Sequence, residues 1–478
     1  MNHLASSLSF LELEGRLRPL TSISTDRYDK STKVHLSHTQ ISAAYGSNPS
    51  PPYLSEQWTA YTHPEGQLYF CRHSQPRVIT EAYLYTRQNL EQITLWALWI
   101  ENICRDLGIS IGADVELFLQ IDEAGCGYYF IDHATRSEFW LEGLDTEELG
   151  MPEVASETHL KLALEQHYWS HVERFPMHFG GLQTKTVDEL ICILSYAQID
   201  RMTSPLSTFP YTPEEFTKHI ELLRANRDYI ADGHATCVVA RLWTIVANHR
   251  FTTHYGDERS RLSRDQSIVL TGHDETVPGR FLPNLISRLS LGVSDQYLSK
   301  ISDMFVDDLI YIDQWQKFIA QCFRDWRMSS LNAFALLILH APLLWIHAFP
   351  WLSLASSVLL VLSLISSAFL LFRHESLLDA SAGEAASYLL MIRSKKYNFH
   401  PLSFVYALPR ALTFWGMIIL FIHALSLVTI HQGLAVGLPL LVFISIVICG
   451  IRRITSTDSG SVFSFRCSST QSDSKDFV

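Results

Sequence analysis

Charge is what this chain has least of, for only 18% of its 478 residues are Asp, Glu, Lys or Arg. Cations are scarcer than anions, 37 Lys plus Arg against 49 Asp plus Glu, giving a formal net charge of -12. No chain-wide basic field exists to hold a phosphate backbone, so no nucleic acid partner is expected. Cysteine is also sparse: the 8 residues are dispersed without a CxxC pair, which excludes a zinc knuckle or a disulfide scaffold. The familiar catalytic signatures are missing too, with no P-loop, GxGxxG, GxSxG or HExxH. No catalytic residue, metal ligand or cofactor is therefore assigned, and a non-enzyme is favoured. The first residues carry Glu12 and Glu14 and lack a basic run before an apolar one, which reads as neither a secretory nor a mitochondrial presequence.

What charge there is avoids the C-terminal end. Residues 331–372 and 411–451 contain no Asp, Glu, Lys or Arg. A membrane crossing takes about 20 residues at 1.5 Å rise each, so each block has room for two crossings and is expected to fold as a hairpin. Phe349-Pro350-Trp351 and His431-Gln432-Gly433 are the natural turns. The basic residues Arg324, Arg327, Arg373, Arg393, Lys395, Lys396, Arg410, Arg452 and Arg453 flank one side of that arrangement. The positive-inside tendency then places both termini in the cytosol, in an endomembrane or the plasma membrane. His340, His347, His423 and His431 interrupt the apolar blocks, where hydrogen bonding between helices is the simpler role and an ion path the sharper one.

The remainder divides by composition. Residues 1–50 read as a flexible segment rich in Ser and Thr, and 452–478 as a flexible Ser-rich cytosolic tail. Residues 51–81 and 115–147 each hold short aromatic strands around a turn, with Tyr69 and Tyr129 in matching places. A connecting helix fills 82–114, and 148–329 reads as mainly helical, including an amphipathic stretch over 296–327. TPEEF, from Thr212, has the Pro and acidic residues of a helix start. His167 and His171 stand four apart with Glu173 nearby, as do His249 and His254 at wider spacing; packing is the favoured role for all four histidines. The fold class expected is an α+β soluble region with two short antiparallel β-meanders and a mainly helical part, followed by a four-helix transmembrane region of 330–451.

In the second aromatic segment, Tyr129 and Trp140 are spaced to form walls of a shallow cleft for a proline ring, with His133 and Arg136 orienting the peptide. The pattern resembles the WW domain family. Trp58, the Tyr69-Phe70 pair and His73 match its early Trp, central pair and His, with Thr80 at the second Trp position. Phe118, Tyr129-Phe130, His133, Thr135, Arg136 and Trp140 match the same positions in the second copy, with Phe118 replacing the early Trp. The resemblance implies structural roles for Trp58, Tyr69, Phe70, His73, Phe118 and Phe130, and peptide binding by Tyr129, His133, Arg136 and Trp140. The wider layout is similar to that of fungal multispanning membrane proteins. The function expected is an integral-membrane adaptor or scaffold that recruits proteins through its cytosolic region, with membrane lipid, a proline-rich protein segment and a second copy of itself as partners. The alternative is a transporter or channel built from oligomerised membrane hairpins.

Overall fold

The computed structural model describes residues 16–24, 26–28, 53–109, 111–269, 281–342, 349–433 and isolated positions elsewhere. The segments 1–50 and 452–478 and the residue His347 lie wholly or largely outside the described residues, and the fourth expected span is described only in part, as a short apolar helix over Gly437–Val447. The chain forms two compact units, 1–269 and 270–478.

In the first unit the aromatic segments do form strands, but as one sheet. The strands are β1 (Leu17–Pro19), β2 (Trp58–Thr62), β3 (Leu68–Arg72), β4 (Arg77–Thr80), β5 (Val115–Ile121), β6 (Cys126–Asp132) and β7 (Ser137–Phe139), in the order β1-β6-β5-β4-β3-β2. β7 also pairs with β6, antiparallel, and shares its outer edge with β1, which runs parallel to it. The two expected meanders are fused because β4 and β5 pair in parallel, with Val78 opposite Leu117 and Thr80 opposite Leu119. A parallel neighbour needs a crossover, and α1 (Arg87–Asp106) supplies it.

That crossover explains why the sheet has no open aromatic face. The strands VELFLQI and CGYYFID are apolar at both parities, the pattern of a sheet covered on both sides. One face packs Trp58, Phe70, Val78, Leu117 and Phe130 on Ile93, Trp96 and Ile100 of α1. The other packs Tyr69, Cys71, Ile79, Phe118 and Tyr129 on a layer formed by α2 (Glu157–Arg174), α3 (Thr184–Thr203), α4 (Pro213–Asn226) and α5 (Gly233–Thr252). Trp169 of α2 and Trp243 of α5 stack at its centre, 5.2 Å apart and within 9° of parallel. At the start of α4 the Thr212 hydroxyl accepts from the Glu215 amide while the Glu215 carboxylate accepts from the Thr212 amide. This reciprocal cap satisfies two amides that the first turn leaves without helical partners.

The second unit holds α6 (Phe281–Leu289), α7 (Val293–Met304), α8 (Ile312–His340), α9 (Pro350–Arg373), α10 (Ala382–Ile392) and α11 (His400–Gln432). The amphipathic stretch is thus two helices, and α8 starts in charged sequence well before the apolar block. Among the described residues two helices, α9 and α11, are long and apolar enough to cross a membrane, by length and composition. The four-helix transmembrane expectation is corrected on that point: α8 spends its first half on charged residues such as Asp313, Lys317 and Arg324, and cannot offer a full apolar span.

The seam between α9 and α11 is built from small polar residues. Ser356 Oγ donates to the Gly416 carbonyl at 2.8 Å, and Ser363 Oγ to the carbonyl of Pro409 at 2.8 Å. Such bonds hold apolar helices together where hydrophobic burial offers little contrast with lipid. Gly416 permits the approach, since a Cβ there would stand 2.8 Å from Leu360 Cγ. Gly416→Val is expected to separate the seam at a cost of about 1–3 kcal/mol, the usual range for overpacking, read as a lower thermal midpoint of the full chain in detergent. A midpoint equal to wild type would show that the seam has slack.

Candidate functional site

Glu116 is the residue around which the chemistry gathers. It lies on β5 two residues before Phe118, so it faces the α2 side of the sheet, and it has no solvent exposure. An isolated buried carboxylate would be very costly, so its partners decide whether it is tolerated. His171 of α2 places Nε2 3.1 Å from Glu116 Oε2, and His178 beyond that helix places Nε2 3.2 Å from Oε1. His133, just after β6, brings Nε2 within 3.1 Å of Oε1, and Arg77 at the start of β4 brings Nε within 3.2 Å of the same oxygen.

Behind the imidazoles stand tyrosines. Tyr129 OH lies 3.0 Å from His171 Nδ1, and Tyr69 OH lies 3.2 Å from His178 Nδ1 while accepting the Met177 amide at 2.9 Å. Since an ionised carboxylate only accepts, His171 donates through Nε2 and accepts the phenol proton of Tyr129 at Nδ1. Burial alone raises the pKa of Glu116, but the charge of His178 and the hydrogen bonds from His133, His171 and His178 carry it well below the ordinary carboxylate value. Burial lowers His171 to about 4 against the pull of Glu116, and burial also drives the Tyr129 phenol upward.

His133 connects this buried array to a cleft. The cleft has a volume of about 550 Å³, and its lining includes Arg77, Asp114, His133, Arg136, Tyr168 and Thr186. The β6–β7 turn sets its rim: Asp132 accepts from the Ala134 amide at 2.9 Å and the Thr135 hydroxyl at 2.7 Å, and Arg136 takes a left-handed φ of 54°. That conformation aims the Arg136 guanidinium over the Trp169 ring, 5.3 Å from its centroid, with Nη2 3.5 Å from Thr186 Oγ1. The opposite wall is the N-terminus of α3, where Gln183 makes no side-chain cap and the first turn carries no acid.

The expected peptide groove is not formed. Tyr129 is fully buried under α2, stacked on Phe118 at 4.7 Å, and the Trp140 indole is half-buried and donates to the Leu20 carbonyl at 2.8 Å. Both residues serve the core. Trp58, Tyr69, Phe70, Phe118 and Phe130 are buried as structural residues, on two different faces of the sheet, and His73 lies 3.2 Å from the Tyr61 hydroxyl. Of the four residues assigned to peptide binding, His133 and Arg136 do share one site, with a different geometry from the one expected.

Two further clusters are closed to ligands. His167 Nδ1 lies 2.5 Å from Glu138 Oε2, and the Ser22 amide donates to the other carboxylate oxygen at 2.7 Å. His167 and His171 thus serve different carboxylates, although they are one turn apart. His159, His254 and Asp257 are close enough to ligate one ion. His159, however, accepts the Ala155 amide at Nδ1 and has Nε2 2.9 Å from the Phe251 carbonyl, which leaves it no lone pair for a metal.

Glu116, Arg77, His178 and Tyr168 were not among the residues singled out from sequence. Glu116 alone left a signal, an acid inside the apolar strand VELFLQI. No protein-family model matches this chain, and neither a curated protein nor a solved structure matches it. The WW resemblance and the similarity to fungal membrane proteins therefore have no support, and the continuous sheet gives the physical reason.

Proposed function

We propose that this chain is a membrane-associated adaptor whose first unit recognises an anionic group on its partner in the Arg136 cleft. The observation that supports this is the convergence of the Arg136 guanidinium and the N-terminus of a 20-residue helix on one cavity. A helix N-terminus presents amides and a positive dipole end, and a guanidinium adds forked donors to the same oxygens. The negative charge of Glu116 is matched from behind by Arg77 and the histidines, so it does not cancel Arg136. The Tyr129 and Trp140 walls expected for a proline ring are not part of this cleft, and a carboxylate or phosphate on the partner is the group that fits Arg136.

In this reading α9 and α11 cross the bilayer and lipid surrounds them; two crossings leave both termini on one face, opposite the connection that carries Arg393, Lys395 and Lys396. The transporter or channel alternative has less support, because the close approach at Gly416 fills the α9–α11 seam where a path would run.

Calorimetric titration of the full-length protein in detergent with inorganic phosphate, acetate and an acidic peptide tests the reading. Arg136→Ala is expected to weaken binding roughly 10- to 100-fold, the loss of one charge-assisted contact of about 1.5–3 kcal/mol. Arg227→Ala, on an exposed pair with Asp188, should leave binding unchanged. Equal affinities for wild type and Arg136→Ala, or no binding of any of the three, would remove the cleft from the function.

A further inference from the structure

Two histidines of the second unit have a chemistry that the adaptor reading does not use. His340, the last residue of α8, and His423, in the second half of α11, are both without solvent exposure, and their ring centroids lie 6.1 Å apart. His340 Nε2 is 2.7 Å from Ser353 Oγ near the start of α9, which fixes that ring. Its Nδ1 has no hydrogen-bond partner, and neither nitrogen of His423 has one. Leaving a buried polar atom unpaired is costly, so three on one pair of rings require a cause. Histidines inside an apolar layer are retained for function more often than for stability.

We propose that His340 and His423 form a two-imidazole site for copper(I). The ring planes are inclined by 57° with centroids 6.1 Å apart, and since a ring nitrogen lies about 1.1 Å from its centroid, rotation of His423 to turn a nitrogen toward His340 Nδ1 would bring the two to roughly 4 Å, close to twice an imidazole–metal bond of ~2.0 Å. An ion on the line between them is two-coordinate, which satisfies copper(I). Zinc asks for four ligands, and magnesium and calcium for cages of oxygen. The surrounding sequence also selects low charge. Residues 331–372 and 411–451 contain no carboxylate to neutralise a second positive charge, and two neutral imidazoles add none. A monovalent, weakly hydrated ion is thus the least costly cation to place there. His340 Nδ1 is the one nitrogen of that ring left to bind, since Nε2 is held by Ser353. The site is independent of the Arg136 cleft, and neither needs the other.

The test is copper(I) retention by the full chain in detergent, under anaerobic competition with bicinchoninate. Cys192, the exposed thiol, and Cys449 and Cys467 are changed to serine throughout to remove competing ligands. The parent is expected to keep one copper per chain with a two-nitrogen first shell by X-ray absorption. His340→Leu and His423→Leu should each lower the affinity at least 100-fold, and His431→Ala, at the exposed end of α11, should keep it. Should His423→Leu fail to fold, His423→Cys serves instead: copper is retained and the first shell becomes one nitrogen and one sulfur. A parent that retains no copper, a first shell without nitrogen, or retention unchanged in His423→Leu would each overturn the proposal. None of these measurements touches anion binding by the first unit.

Discussion

Glu116→Gln is expected to cost the first unit about 3–5 kcal/mol, a heavier loss than Gly416→Val should bring to the helix seam. The side chain keeps its shape, so no cavity opens. What changes is the count of acceptors. A carboxylate accepts from His171 and His178 and faces His133 and Arg77 with its two oxygens, whereas an amide offers one oxygen and turns an NH2 group toward groups already in place. At least one imidazole N–H is then left facing another donor, and the positive charge of Arg77 loses its buried partner. Against a total domain stability of about 5–15 kcal/mol this is a large fraction. Amide hydrogen exchange across β5 and β6 in the full-length protein should accelerate by roughly two to three and a half decades. Unchanged exchange would mean that the imidazoles organise themselves without the carboxylate.

Acid should have an effect of comparable size, beginning well above the carboxylate range. His171 and His249 are each held at about 4 by burial, against an ordinary value near 6.5. Below pH 6.5 the unfolded chain takes up protons at both positions and the folded chain does not, so stability falls as pH falls. The slope is about 1.4 kcal/mol per pH unit for each histidine between 6.5 and 4. Glu116 acts in the same sense at lower pH, since its depressed pKa gives stability that is lost as pH drops through the folded value. Glu138 opposes them: burial raises its pKa, so its contribution is present in acid and lost as pH rises through the folded value. Exchange protection of the first unit measured from pH 7 to pH 4, corrected for intrinsic rates, should therefore decline toward acid. His249→Gln, whose amide extends toward the position of Nε2 facing Thr208, should flatten the decline by about one histidine's share. A flat profile in the wild-type chain would show that both imidazoles are already charged in the fold.

The aromatic strands were legible because their composition is local. Trp58, Tyr69-Phe70 and Tyr129-Phe130 all fall in strands, and the PEG turn lies between β2 and β3. What was not legible was the pairing of β4 with β5, which depends on a 20-residue helix lying across one face. The apolar residues at both parities of β5 and β6 were the available hint that no face is free for a ligand. The site was half legible. His133 and Arg136 were picked for a groove that does not exist, yet they belong to the cleft because the turn carrying them is fixed by its own Asp132. His178 and Arg77 come from segments 101 residues apart and meet only at Glu116. At the other end the absence of charge marked the apolar blocks, but helix boundaries follow backbone continuity. α8 runs from charged sequence at Ile312 to His340 without a break, so the block edge at residue 331 marks no structural edge.

The edge strand β1 sets a timetable for synthesis. Leu17 pairs with Cys126 and Pro19 with Tyr128, so the first strand among the described residues pairs with one made more than a hundred residues later. At about 5–20 residues per second that gap is roughly 5–20 s. During it the outer edge of β6 has not yet been made, and Ser22 has neither Glu138 nor the His167 carbonyl to bind. β1 and Ser22 therefore wait without their native partners until β6, β7 and α2 have all been made.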